Sequence, residues 1–150
     1  MTANDSQAII RHLIGTWRLV SFHIKTGDGQ VTYPFGRDAV GYYLFAENGY
    51  MSVAIMGAHR PKFGAGDILG GTTEEKIAAA EAYISYCGKY EIQADKLVVH
   101  VEVSFFPNWI GVDQVRLFEL TDNNNTLTLS TPPLLVRGLQ QTAHLVWQRI

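Results

Sequence analysis

The chain has 150 residues, of which 47% are hydrophobic, 11% aromatic and 17% charged, proportions of an ordered globular protein. That length makes one domain over residues 1–150, large enough to bury a core without staples. A formal net charge of −2, a pI near 6.2 and no run of Lys and Arg exclude the basic surface that nucleic acids and anionic membranes require. The single cysteine, Cys87, excludes an intramolecular disulfide and a Cys-rich zinc site.

The N-terminal MTANDSQAII lacks the basic start and apolar core of a secretory signal, and no apolar run approaches the ~18 residues of a membrane span. A cytoplasmic protein is therefore expected. Residues 5–14, DSQAIIRHLI, place Ala8, Ile9, Leu13 and Ile14 on one face of a short helix. Strand signals dominate from Gly15. TWRLVSFHIK is rich in β-branched and aromatic residues and runs into the turn TGDGQ. AVGYYLFAE and YMSVAIM flank Asn48-Gly49, a strong hairpin signal that predicts an antiparallel pair. Residues 59–71, with Pro61 and four glycines, read as a loop. Thr72 with Glu75 then forms a capping box that opens a predicted helix over 73–86. Strand signals resume in YCGKYEIQ, KLVVHVEVS, QVRLFELT, NTLTLST and AHLVWQR.

About nine strands against one good helix, evenly spaced, point to an all-β barrel or sandwich. The alternation is not clean. TWRLVSFHI puts Trp17, Leu19, Ser21 and His23 opposite Arg18, Val20, Phe22 and Ile24, and QVRLFELT sets Gln114, Arg116, Phe118 and Leu120 opposite Val115, Leu117, Glu119 and Thr121. Such mixed faces favour a small barrel with a partly polar interior over a dry sandwich core.

GTWRLVSF, YPFG followed by GYYLFAENGYMSV, and H-x-E-x-S-x-x-P-N-W-x-G-x-x-x-x-R occur in this order from Gly15 to Arg149. The ordered set resembles the bacterial and fungal lipocalin-like domain proteins, of the calycin type. The resemblance implies an antiparallel up-and-down barrel of about 8–10 strands around a ligand cavity. It also implies that Trp17 closes one end, with Arg149 packed across its indole as a structural pair. Two features set the chain apart from secreted lipocalins: the helix lies between the fourth and fifth strands, and their disulfides and signal peptide are missing.

The motif spans His100, Glu102 and Arg116. Pointing inward, His100 and Arg116 would offer a titratable ring and a fixed cation to orient a carboxylate, phenolate or carbonyl, with Glu102 holding Arg116 or setting the histidine tautomer. In the opposite arrangement Val99, Val101 and Val103 fill the core and these three residues face outward. Within the resemblance the polar face is the expected cavity lining, with His100 and Arg116 both pointing in.

The aromatic and apolar residues Tyr43, Phe45, Met51, Tyr90 and Trp109 complete the expected ligand contacts. Tyr86 with Tyr90 forms a further same-face pair, and FFPNW and HRPKFGAG are expected at the cavity mouth. His12, His23, His59, His100 and His144 show no metal-ligand spacing, and no cofactor or metal is implied. The first functional reading is therefore binding of a small hydrophobic or amphipathic molecule. Two alternatives stand beside it: a cofactor-independent isomerase or cyclase with His100 as acid or base, and an interaction module that forms a homodimer through apolar outer faces and takes no ligand.

Overall fold

A computed structural model describes residues 2–150. It contains helices α1 (Ala3–Leu13) and α2 (Thr73–Glu81). The strands are β1 (Gly15–Thr26), β2 (Val31–Thr32), β3 (Val40–Phe45), β4 (Tyr50–Met56), β5 (Tyr83–Gln93), β6 (Lys96–Ser104), β7 (Asp113–Thr121), β8 (Thr126–Ser130), β9 (Leu134–Val136) and β10 (Leu139–Arg149). All pairings are antiparallel in the order β1-β3-β4-β5-β6-β7-β8-β10, and β10 returns to β1, so the sheet closes into a barrel. The short β2 and β9 add to β1 and β10 outside that ring. A barrel of this strand number has room for its own side chains and one small ligand.

The local signals explain the elements. Asn48-Gly49 turns β3 into β4 with Phe45 opposite Met51 and Gly49 at φ +87°, where a side chain would be strained. Thr2 with Asp5, and Thr72 with Glu75, form complete capping boxes at the two helices. Helix α2 is shorter than the 73–86 expected. Tyr83, Ile84 and Ser85 pair with Met56, Ile55 and Ala54, because β-branched and aromatic residues bury more surface on the barrel than on a helix that buries none of its side chains. Leu13, at the end of α1, is fully buried against one end of the barrel.

At that end the Trp17 indole donates from Nε1 to the Leu13 carbonyl at 2.8 Å. The Arg149 guanidinium lies 4.3 Å from the Trp17 ring centre and donates to the carbonyls of His12, Ile14 and Asn124. Stacking and capping thus act together, tying the last strand to the first.

Two β-bulges account for the irregular alternation of β1 and β6, whereas β7 pairs without a register shift and is mixed because it buries Arg116. In β1 the register shifts between Leu19 and Ser21, leaving Val20 as the extra residue. Trp17 and Leu19 face in before it, and Phe22 and Ile24 after it. In β6 the shift lies opposite Cys87 and Gly88, leaving Glu102 as the extra residue. Leu97, Val99 and Val101 face in before it. Beyond it Val103 is 63% exposed and the Ser104 hydroxyl is buried. A bulge changes the phase of alternation, so β1 looks two-faced in sequence while the side chains it turns inward, Trp17, Leu19, Phe22 and Ile24, are apolar. The interior is accordingly much less polar than the sequence alone implied.

Candidate functional site

Away from the Trp17 end the barrel encloses a cavity of about 280 Å³. Its walls come from the later half of β1, from β3 to β5 and β7 to β10, and from the 3₁₀ turn Pro107–Trp109. The walls are almost wholly apolar, and no Asp, Glu or His among the described residues lines them. Tyr43 sits edge-on to Trp147 with ring centres 5.5 Å apart, and Tyr86 edge-on to Trp109 at 5.4 Å. Such perpendicular pairs leave flat aromatic walls of fixed orientation.

One charge interrupts this surface. Arg116 is only 8% exposed and lines the cavity. Its Nη1 donates to the Val115 carbonyl at 2.9 Å, its Nη2 lies 3.5 Å from Gln114 Oε1, and the guanidinium carbon is 5.9 Å from the Trp109 ring centre. No carboxylate among the described residues pairs with it; the ion pairs elsewhere involve His59 and His100. Two further lining residues, Tyr43 and Trp147, carry a buried hydroxyl and a buried indole N–H with no hydrogen-bond partner in the protein. Burial, reinforced by the neighbouring Tyr86 and opposed by the charge of Arg116, holds the Tyr43 hydroxyl well above the usual tyrosine range, so it remains a neutral phenol. Thr131 also lines the cavity, with its hydroxyl oxygen accepting from the Ala143 N–H at 2.8 Å.

The residues singled out in the sequence divide into three groups. Tyr43, Trp109 and Arg116 line the cavity. Phe45, Met51 and Tyr90 do not; they fill the barrel beneath it, with Phe45 stacked on Tyr43 at 4.3 Å and the Tyr90 hydroxyl donating to the Ala46 carbonyl at 3.1 Å. His100 and Glu102 lie on the outer face, contrary to the inward orientation expected for them.

Register is the reason for this split. Leu97 sits opposite Arg116 and His100 opposite Asp113, and directly opposed residues share a face. Leu97 and His100 are an odd number of positions apart, so when Arg116 points in, His100 must point out. Energetics agree: burying Leu97, Val99 and Val101 contributes about 1.5–3 kcal/mol each, whereas burying His100 and Glu102 instead would desolvate polar groups.

Several lining residues were not singled out from sequence. Trp147 was legible in AHLVWQR, where Ala143, Leu145 and Trp147 alternate on one face and all line the cavity. Leu134 to Val136 follow Pro132-Pro133, between the strand signals NTLTLST and AHLVWQR; they form β9, which lines the cavity together with Phe106. The loop 59–71, expected at the cavity mouth, instead packs beside α2, where Glu75 accepts from the Gly64 N–H at 2.8 Å.

Outside the barrel, His100 Nδ1 lies 2.6 Å from Asp113 and Nε2 lies 3.4 Å from Glu91. The bond to Asp113, aided by Glu91 against a partial loss from burial, raises the imidazole pKa. A raised folded-state pKa contributes stability that is fully present below the unfolded value of about 6.5 and lost as pH climbs through the folded one. His100→Ala is therefore expected to lower stability, read as the melting temperature, more at pH 6 than at pH 9, with a free-energy loss of at most about 1 kcal/mol for so exposed a cluster. A melting-temperature deficit that does not change with pH would remove this account.

Among the described residues no helix is long and apolar enough to cross a membrane. The family model of the lipocalin-like domain matches residues 14–150. The 4'-hydroxy-3'-methoxypropiophenone carrier protein ppsC of Aspergillus oryzae is 32% identical over 109 residues, spanning 67% of this chain and 96% of that protein. The solved structure of an uncharacterized protein from Bacteroides eggerthii shares 16% identity, covering 92% of this chain and 99% of that one at a TM-score of 0.45. With the family match running through every strand of the barrel, the chain belongs to the lipocalin-like domain family.

Proposed function

We propose that this protein binds and carries a small aromatic molecule bearing a polar oxygen, without chemically changing it. The observation that carries the reading is the cavity itself: aromatic walls around a buried guanidinium and unpaired hydroxyl and indole N–H groups. Buried donors without acceptors are costly, and a ligand oxygen placed among them offsets that cost. A volume of about 280 Å³ suits a ligand of one or two rings. The relative from Aspergillus oryzae, a carrier of an aryl ketone with a phenolic hydroxyl, supports the same ligand class.

A binding role is favoured over an isomerase or cyclase because proton abstraction needs a base, and the cavity walls carry no carboxylate or imidazole. His100, the base considered from sequence, is on the wrong side of the wall. A reducing compartment such as the cytoplasm suits the free thiol of Cys87.

The test is a fluorescence titration with 4'-hydroxy-3'-methoxypropiophenone. Trp109 and Trp147 line the cavity, so a bound aryl ketone is expected to quench tryptophan emission saturably. Val53→Phe projects a ring into the same space, because Val53 lies opposite Tyr43, and should abolish the quenching while the protein stays folded. Saturable quenching that survives Val53→Phe would place the ligand elsewhere, and no saturable quenching of the unmodified protein would sink the reading.

A further inference from the structure

We propose that the cavity selects the deprotonated, singly anionic form of its aromatic ligand, with the oxyanion held at Arg116. The proposal rests on the carrier reading above and adds the charge state of what is carried. Arg116 is buried, and its contacts in the protein are a neutral carbonyl, a neutral amide and an aromatic face. None of these cancels its charge, and a buried cation without a counterion is among the most expensive arrangements in a folded protein.

The groups that could neutralise it fail on inspection. Asp113, which borders an outer groove alongside Arg116, has its carboxylate on His100. Tyr43 acts on the same space but stays neutral because it is buried, and Tyr86 beside it raises its pKa further. Leu97, opposite Arg116 on β6, offers no charge, nor does Thr131, whose hydroxyl already serves Ala143. One positive charge therefore faces an apolar chamber, and a single negative charge on the ligand completes it. A guanidinium is suited to this task because it stays protonated and can address a carboxylate or phenolate through paired donors. A dianion would leave one charge buried and unpaired, and a neutral ligand would leave Arg116 as it is. A phenol entering this site gives its proton to solvent; no other bond is made or broken.

The probes are 4-nitrophenol, whose anion absorbs in the visible, and 4-nitroanisole, a similar molecule that cannot ionise. On the intact protein, 4-nitrophenol is expected to titrate at least one pH unit lower when bound than when free. By linkage its anion then binds at least tenfold more tightly than its neutral form. 4-Nitroanisole should bind no better than the neutral phenol.

In Arg116→Met the apolar chamber prefers the uncharged species, so the bound phenol should titrate above its free value. Arg116→Lys, which keeps the charge, should retain part of the downward shift, and it serves as the comparison if the methionine variant does not fold. If bound 4-nitrophenol titrates as it does in water and 4-nitroanisole binds equally well, anion selection is wrong while the carrier reading stands. If neither probe binds in the cavity, the carrier reading falls and this proposal with it.

Discussion

Trp17→Ala is expected to destabilise the protein by about 3–5 kcal/mol, the range for deleting a fully buried large aromatic side chain. Trp17 has no exposed surface, and three interactions meet on its ring: packing on the end of α1, the indole donation to the Leu13 carbonyl at 2.8 Å, and the Arg149 guanidinium at 4.3 Å. The substitution leaves a void that the rigid barrel cannot collapse around. It also strands the Leu13 carbonyl and removes the face on which Arg149 rests.

Arg149→Met should cost less, because the indole still packs, but it frees the carbonyls of Ile14 and Asn124 that the guanidinium caps. If the two side chains act as one closure, chemical denaturation of both single variants and the double variant will show a coupling of about 0.5–2 kcal/mol, the range of a cation–π contact. Strictly additive losses would mean that the stacking contributes nothing beyond packing. Because the cavity lies away from this end, ligand affinity of the folded fraction should be unchanged.

Gly88→Val is the second large effect, and here function should fall with stability. Gly88 faces the bulge at Glu102, and a Cβ built on it would come within 2.0 Å of the His100 carbonyl oxygen and 3.1 Å of the Glu102 backbone nitrogen. Backbone cannot swing aside as a flexible side chain can, so β5 and β6 must separate or the bulge must move. Overpacking of this kind costs about 3 kcal/mol or more.

If the bulge is displaced, the phase of β6 beyond Val101 is lost with it. The turn carrying Phe106 and Trp109, which follows directly, then leaves its place at the cavity. Thermal denaturation and the quenching titration should both report the loss. Gly66→Ala, where a Cβ meets nothing within 4 Å, is the matched control and should change neither. A folded, fully binding Gly88→Val protein would show that this bulge does not position the site.

Much of the architecture was legible in short-range chemistry. The Asn48-Gly49 turn, the capping box at Thr72 and the alternation in AHLVWQR each act over a few residues, and each corresponds to an observed element. The end of α2 was not legible, because helix propensity in IAAAEAY continues into residues that the neighbouring β4 recruits as a strand. Of the expected ligand contacts, Tyr43, Trp109 and Arg116 line the cavity, while Phe45, Met51 and Tyr90 form the floor beneath it. Distance along the barrel axis, which separates floor from wall, depends on strand stagger and leaves no mark in a single strand's pattern.

By itself the sequence determined that the chain is strand-rich, where several strands turn, and which family of barrels it resembles, with aromatic residues and both His100 and Arg116 expected inside. Only the tertiary structure decided which of these residues share the chamber. Alternation marks two faces without saying which is inside, and a shift of one residue exchanges them. In KLVVHVEVS the choice came from pairing: Leu97 opposite Arg116 turned His100 outward, and the extra residue at Glu102 reversed the order again at Ser104. Burying valine is cheaper than burying imidazole, so the barrel kept Val99 and Val101 inside and, among the described residues, admitted a single charge to the cavity wall, Arg116, from the neighbouring strand.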